Sequence, residues 1–302
     1  MANKKAVGKV ICDALFLSCV AFPILIFAQV VQPYKRGFYC NDQSLMHPFK
    51  ESTIPSWVAG VVGVFLPIVV MIIVEGVHFS VCRPKMGKTT NNRAFVHILY
   101  RTIGIFVFGA SVSQLTTDIT KYSVGRLRPH YLTICNPNVS CTDPNDYIEE
   151  DVCQGTDLAK LKEARLSFPS GHASLSFYCM VYLIIYLQVR FSWVRFTLLK
   201  PVLQLLAFYL AYYTALSRVS DYKHHWSDVL AGSLLGAGVS FIIAFHVSDL
   251  FVQRGRYMAG GDGQIIPMFN ALPKRENSMN HSHTETSSNV GDHTLVAVPE
   301  KM

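Results

Sequence analysis

The sequence predicts an all-α polytopic membrane protein of six transmembrane helices, with a functional site at the extracellular or lumenal ends of helices three to six. Composition is the first reason. Of the 302 residues 50% are hydrophobic and 16% charged, against about a quarter charged in soluble domains, and the mean hydropathy is +0.28. Six separate apolar stretches are the second reason, each judged against the roughly 17–25 residues that a spanning helix needs. Parity is the third: the residues best suited to chemistry fall at ends of stretches that alternation brings to one side.

The first stretch covers residues 10–31 and follows Lys4, Lys5 and Lys9. It is long enough to cross a bilayer and lacks a signal peptide's short apolar region and small-residue cleavage site. It therefore reads as a retained helix behind a cytosolic N-terminus at 1–9. Residues 57–74 form the second stretch. The third, 103–119, is more polar and carries Ser111, Ser113, Gln114 and Thr116. A buried, non-spanning helix is its competing reading, although Gly104, Gly109 and Ala110 suit helix packing in lipid. The fourth (173–188) and fifth (202–216) are short, and the sixth runs over 229–251. Residues 10–255 make one six-helix domain. From 256 to 302 the chain turns Gly-, Ser-, Asn- and His-rich, too polar to bury a core, and a disordered cytosolic tail is expected. His281, His283 and His293 read there as solvated side chains.

Lys and Arg set the orientation. They gather at the N-terminus, in the second connection (Arg83, Lys85, Lys88, Arg93, Arg101), in the fourth (Arg190, Arg195, Lys200) and at Arg254 and Arg256, so these segments are expected in the cytosol. The first and third connections then face an oxidising compartment. There Cys40, Cys135, Cys141 and Cys153 can form disulfides, in pairings that sequence does not choose. The acceptor triplet Asn138-Val139-Ser140 lies in the third connection. The net charge of +7 does not point to nucleic acid, because the basic residues flank spans or sit in the segments below, and no aromatic-basic nucleic-acid motif appears. Anionic lipid and phosphate are the better partners.

Three segments carry the chemistry: Lys121-Tyr-Ser-Val-Gly-Arg-Leu-Arg128-Pro129, Pro169-Ser170-Gly171-His172, and Ser217-Arg218 through His224, His225 and Asp228. Lys121, Arg128 and Arg218 can neutralise a phosphate dianion, Arg by a planar fork. Taken singly, each also suits a basic side chain snorkelling at a span end. Pro169, Ser170 and Gly171 look like a helix start, where backbone N–H groups favour an anion. His224 and Asp228 are four apart, so a helix begun there would put them on one face, with the carboxylate fixing the imidazole tautomer. His225, three from Asp228, competes on spacing alone. His172 can serve as proton donor. Acidic ligands for a metal do not cluster, and no cofactor is expected.

Together these segments resemble the signature of the type 2 phosphatidic acid phosphatase superfamily: K-x6-RP, then PSGH, then SR-x5-H-x3-D, with every spacing met. Arg36-Gly-Phe-Tyr-Cys-Asn-Asp42, Gly125 to His130, Arg218 to His225 and Val247-Ser-Asp249 are further similar to the eukaryotic lipid phosphate phosphatases, over about residues 10–255. Pro169 follows the broader superfamily, where many animal relatives have Tyr or Phe. The resemblance implies that His224 attacks phosphorus, Asp228 orients it, and His172 protonates the leaving oxygen and then activates water. Lys121, Arg128, Ser170, Gly171 and Arg218 would hold the phosphate oxygens, without Mg²⁺. It implies phosphatidate, lysophosphatidate, sphingosine 1-phosphate and ceramide 1-phosphate as substrates, with roles in phospholipid metabolism and lipid signalling. The plasma membrane, with the site facing outside, is the expected location, internal membranes being the alternative. A homo-oligomer is compatible with this picture. The competing class is a catalytically inactive membrane protein of the same fold, acting in adhesion or lipid handling. Such a protein would be expected to lose His172 or His224, and both are present. Within the superfamily, glucose-6-phosphatases and polyprenyl pyrophosphate phosphatases share the motif.

The orientation predicts a glycan on Asn138 and none on Asn280 of Asn280-His281-Ser282. Gel mobility of Asn138→Gln and Asn280→Gln before and after glycosidase treatment checks this. A glycan on Asn280 alone reverses the orientation.

Overall fold

The computed structural model describes residues 2–82, 88–139, 143, 145–149, 152–191 and 196–251. Cys141, Ser140, the tail and the basic residues Arg83, Lys85, Arg195, Arg254 and Arg256 lie outside them. Six helices are long and apolar enough to cross a membrane, and the chain is an all-α, multi-pass membrane protein. They are α1 (Ala2–Gln29), α2 (Ser56–Cys82), α3 (Lys88–Val124), α6 (Gly171–Arg190), α7 (Leu199–Ser220) and α8 (Trp226–Ile242), the last followed by a π-turn over Ile243–Val247. Two short helices, α4 (Tyr131–Cys135) and α5 (Leu158–Ala164), lie in the third connection.

The third span is a transmembrane helix despite its polarity, because its hydroxyls are spent within the bundle. Thr116 and Thr117 each bond a carbonyl four residues back at 2.8 Å, and Ser174 lies 3.0 Å from Ser113 and 2.8 Å from Thr117. Such internal satisfaction is what hydrocarbon demands of polar groups. Helices α3, α6 and α7 all outrun the apolar stretches that mark them, since polar residues continue each helix beyond the bilayer core.

Helix α6 is the centre of the bundle and packs against α8, α7, α2 and α3. Tyr178, Tyr182 and Tyr186 on it are fully buried. Their rings fill the core while a hydroxyl finds a partner, as with Tyr178 on the Phe106 carbonyl at 2.8 Å. The approach of α8 needs glycine: a Cβ at Gly236 would collide with the Ser174 carbonyl, and one at Gly232 would reach the Ser170 carbonyl at 2.5 Å.

At the other end of the bundle, Glu75 of α2 is buried. It is 2% exposed, takes Arg190 Nε at 2.9 Å and accepts the Tyr186 hydroxyl at 2.9 Å. A buried charge in this setting persists because it is paired.

Connections one, three and five share one end. Strand β1 (Phe38–Tyr39) of the first pairs antiparallel with β2 (Tyr147–Ile148) of the third, Phe38 opposite Ile148. Cys135 and Cys153 form a disulfide, and Cys40 is disulfide-bonded too. Asn138 is exposed on this same end.

Candidate active site

Each of the three segments reaches the shared end on a different element. Lys121 stands in the last turn of α3, and a Cβ on Gly171 would meet its Nζ at 3.1 Å. Gly171 therefore lets the ammonium lie against the start of α6. Ser170 is the N-cap of that helix, its side chain facing the Ala173 N–H, and the Ser170 N–H donates to the Asp228 carbonyl at 3.0 Å. The helix start expected from the sequence is present, with Pro169 outside the helix rather than in its first turn.

Arg128 follows α3 and is 5% exposed; Arg218, in the last turn of α7, is 2% exposed. Four buried side-chain polar atoms among the described residues have no protein partner, and three of them belong to predicted site residues: Arg128 Nε, Arg218 Nε and His172 Nε2. Unsatisfied buried donors are costly and rare. Here they cluster, and the charges of Lys121, Arg128 and Arg218 act together on both His172 and His224. All eight predicted residues belong to one constellation.

One expected contact differs. The Asp228 carboxylate is 4.0 Å from His224 Nδ1, too far for a hydrogen bond. Helix α8 begins only at Trp226, so His224 precedes it and the one-face spacing does not apply. His224 Nδ1 instead meets the Ser167 carbonyl at 2.7 Å. Because a carbonyl only accepts, Nδ1 carries the proton and Nε2 keeps its lone pair. Asp228 acts one step back: it accepts the Ser167 hydroxyl at 2.6 Å, Arg126 at 2.5 Å, and the His225 N–H at 3.0 Å with its ring at 3.2 Å. His225 is thereby tied to the helix start. Ser167 left no mark in the sequence beyond lying two residues before Pro169.

Glu163, on α5, was also missed. It bonds Arg128 at 2.9 Å, and the guanidinium holds its carboxyl below the usual range. Beside it a cavity of about 310 Å³ opens, lined by Arg128, His130, Lys223, Lys160 and Phe49 among others. Lys223 lies 3.8 Å over the Phe49 ring. Burial pushes His130 down to about 4. Burial first, and then the three cations, push His224 well below the ordinary histidine value, so its imidazole is neutral at pH 7. Among the described residues no group of three His, Cys, Asp or Glu side chains could hold a metal ion.

Comparison with known proteins follows the same residues. The PAP2 superfamily matches residues 102–250. A Drosophila melanogaster protein named "Putative phosphatidate phosphatase" is 48% identical over 269 residues, covering 82% of this chain and 71% of its own. Rat phospholipid phosphatase 1 is 41% identical over 83% of this chain and 89% of its own. Mouse phospholipid phosphatase 2 is 40% identical over 81% and 88%. No solved structure matches the chain.

Two depressed histidines outside the spanning helices give a pH prediction. Folded, His130 and His224 stay neutral below pH 6.5; unfolded, each takes a proton near 6.5. The unfolded chain then binds more protons, so stability falls as pH drops below 6.5, by at most about 1.4 kcal/mol per unit for each ring. For His130 this window extends down to about 4. Thermal denaturation in detergent between pH 7.5 and 5 should show a falling Tm, blunted in His130→Gln and His224→Gln. A flat Tm contradicts the burial of neutral rings.

Proposed function

The chain belongs to the PAP2 superfamily, and from that premise we propose that it is a lipid phosphate phosphatase working through a phosphohistidine on His224. Phosphatase activity is common to the names of its relatives. The observation that carries the reading is the convergence of partnerless Arg128 Nε, Arg218 Nε and His172 Nε2 under the charge of Lys121. Buried polar atoms of this kind, surrounded by cations, suit a phosphate dianion.

The first step transfers phosphorus from oxygen to nitrogen. The His224 Nε2 lone pair attacks phosphorus as the ester P–O bond breaks, and His172, which takes up a proton as the phosphate dianion offsets the three cations around it, gives that proton to the departing alkoxide. The alcohol, diacylglycerol when phosphatidate is the substrate, leaves. Neutral His172 then takes a proton from water, the resulting hydroxide attacks phosphorus, and the N–P bond electrons return to His224. Free phosphate departs and His172 is protonated again. Lys121, Arg128 and Arg218, with the backbone at Ser170 and Gly171, offset the charge carried by the phosphoryl oxygens in both steps. Asp228 supports His224 through Ser167, whose carbonyl holds the Nδ1 proton.

The substrates we assign are phosphatidate, lysophosphatidate, sphingosine 1-phosphate and ceramide 1-phosphate. A headgroup can enter a site at the helix ends while its chain stays in lipid. With the basic-residue orientation, the site faces outside the cell or into a lumen, where it would act on signalling lipids. Asn138 on that face is the proposed glycan site.

Phosphate release from phosphatidate in mixed micelles containing EDTA tests the proposal. His224→Ala should lose at least about a thousandfold in rate, as removal of a nucleophile does. His225→Ala, which loosens only the helix start, should lose less than about tenfold. Activity surviving in His224→Ala would overturn the mechanism.

A further inference from the structure

We infer that residues 52–54 of the first connection form a working wall of the phosphate site, and that Asp221 is the positioning residue that clasps this strap in place. The inference rests on the phosphatase reading above and deepens it.

Asp221 lies between Arg218 and His224 in the third segment and is fully buried. Its carboxylate is taken up by the first connection. Oδ2 accepts the Thr53 N–H at 2.7 Å and Oδ1 accepts the Thr53 hydroxyl at 2.8 Å, while Lys50 stands 3.7 Å from Oδ1. Arg218 is 3.8 Å away, beyond hydrogen-bond range. Both carboxylate oxygens are engaged by one residue of a distant connection, and charge-assisted bonds of this kind are about twice as strong as neutral ones.

What the clasp holds is informative. Arg218 donates through NH1 to the Ile54 carbonyl at 3.2 Å and through NH2 to the Ser52 hydroxyl at 3.3 Å. Only Nε of its guanidinium then lacks a partner. The Ile54 backbone also lies close to His172, whose Nε2 has no partner. The strap thus decides which nitrogen of Arg218 is left to face the phosphate. Ser52 also lines the cavity beside Arg128, which puts the strap on the path into the site.

The experiment uses the full chain in mixed micelles, with inorganic phosphate as the probe. Thr53→Val removes the hydroxyl bond at nearly constant volume, and Thr53→Ser keeps it. Loss of the clasp should weaken inorganic phosphate as a product inhibitor about tenfold in Thr53→Val, raise KM for phosphatidate by a similar factor, and leave Thr53→Ser within about threefold of the intact chain. A strap that only supports folding lowers the maximal rate while leaving the inhibition constant and KM unchanged; that result overturns the inference, as does no change at all. Asp221→Asn should repeat the effect, and if it does not fold, Thr53→Val still tests the clasp with the buried carboxylate in place. Direct calorimetric binding of inorganic phosphate separates the two readings. An intact chain that binds phosphate but leaves phosphatidate untouched counts against the phosphatase reading alone. A Thr53→Val chain that binds phosphate as tightly as the intact one overturns the strap.

Discussion

Ser167 accepts the His224 ring on its carbonyl at 2.7 Å, donates its hydroxyl to Asp228 at 2.6 Å and its N–H to the Arg126 carbonyl at 2.9 Å. All three of its polar groups are therefore spent, each on a different part of the site, and it is completely buried. The arrangement ties the end of α3, the approach to α6 and the start of α8 into one unit. It also settles chemistry: with Nδ1 facing an obligate acceptor, the lone pair of His224 is on Nε2. Asp228 belongs to the same unit through its carbonyl, which takes the Ser170 N–H at 3.0 Å. The start of α6 and the histidine proposed as nucleophile are thus held by one connected set of hydrogen bonds.

Electrostatics completes what those bonds begin. Three cations act on His224, while Asp228, 4.0 Å from its ring, is engaged by Arg126, Ser167 and His225. Glu163 bonds Arg128 and Asp221 stands near Arg218, and the three cations still act on His224 against its charged form. That field disfavours a second proton on His224, keeping the nucleophile neutral, and it favours a phosphoryl group with its negative oxygens. The same burial and charge that make the ring a poor base in the resting protein suit it to attack phosphorus.

The six spans were legible because hydrocarbon leaves little choice: about 20 apolar residues in a row need a helix. Their ends were not, since Lys88–Val124 and Gly171–Arg190 continue into polar sequence that hydropathy does not score. The site residues were legible as spacings within three short segments. Their supports were not. Ser167, Glu163, Asp221 and Thr53 act through contacts that join distant parts of the chain, as in the 168-residue separation of Thr53 and Asp221, and no local pattern reports such a contact. Asp221 did leave a trace, as a carboxylate inside a basic motif that had no phosphate role to give it. The spacing of His224 and Asp228 misled for a definable reason: it presumes a helix already begun at the histidine, whereas α8 starts two residues later, at Trp226.

The central claim is that phosphorus passes through His224. Rapid quenching of the intact chain with labelled phosphatidate into alkali, which preserves phosphohistidine, followed by peptide mapping by mass spectrometry, examines it directly. The account predicts label on the peptide of His224, still present in His225→Ala and missing from His224→Ala. Label on His225, or full turnover with no labelled histidine at any time, would contradict it.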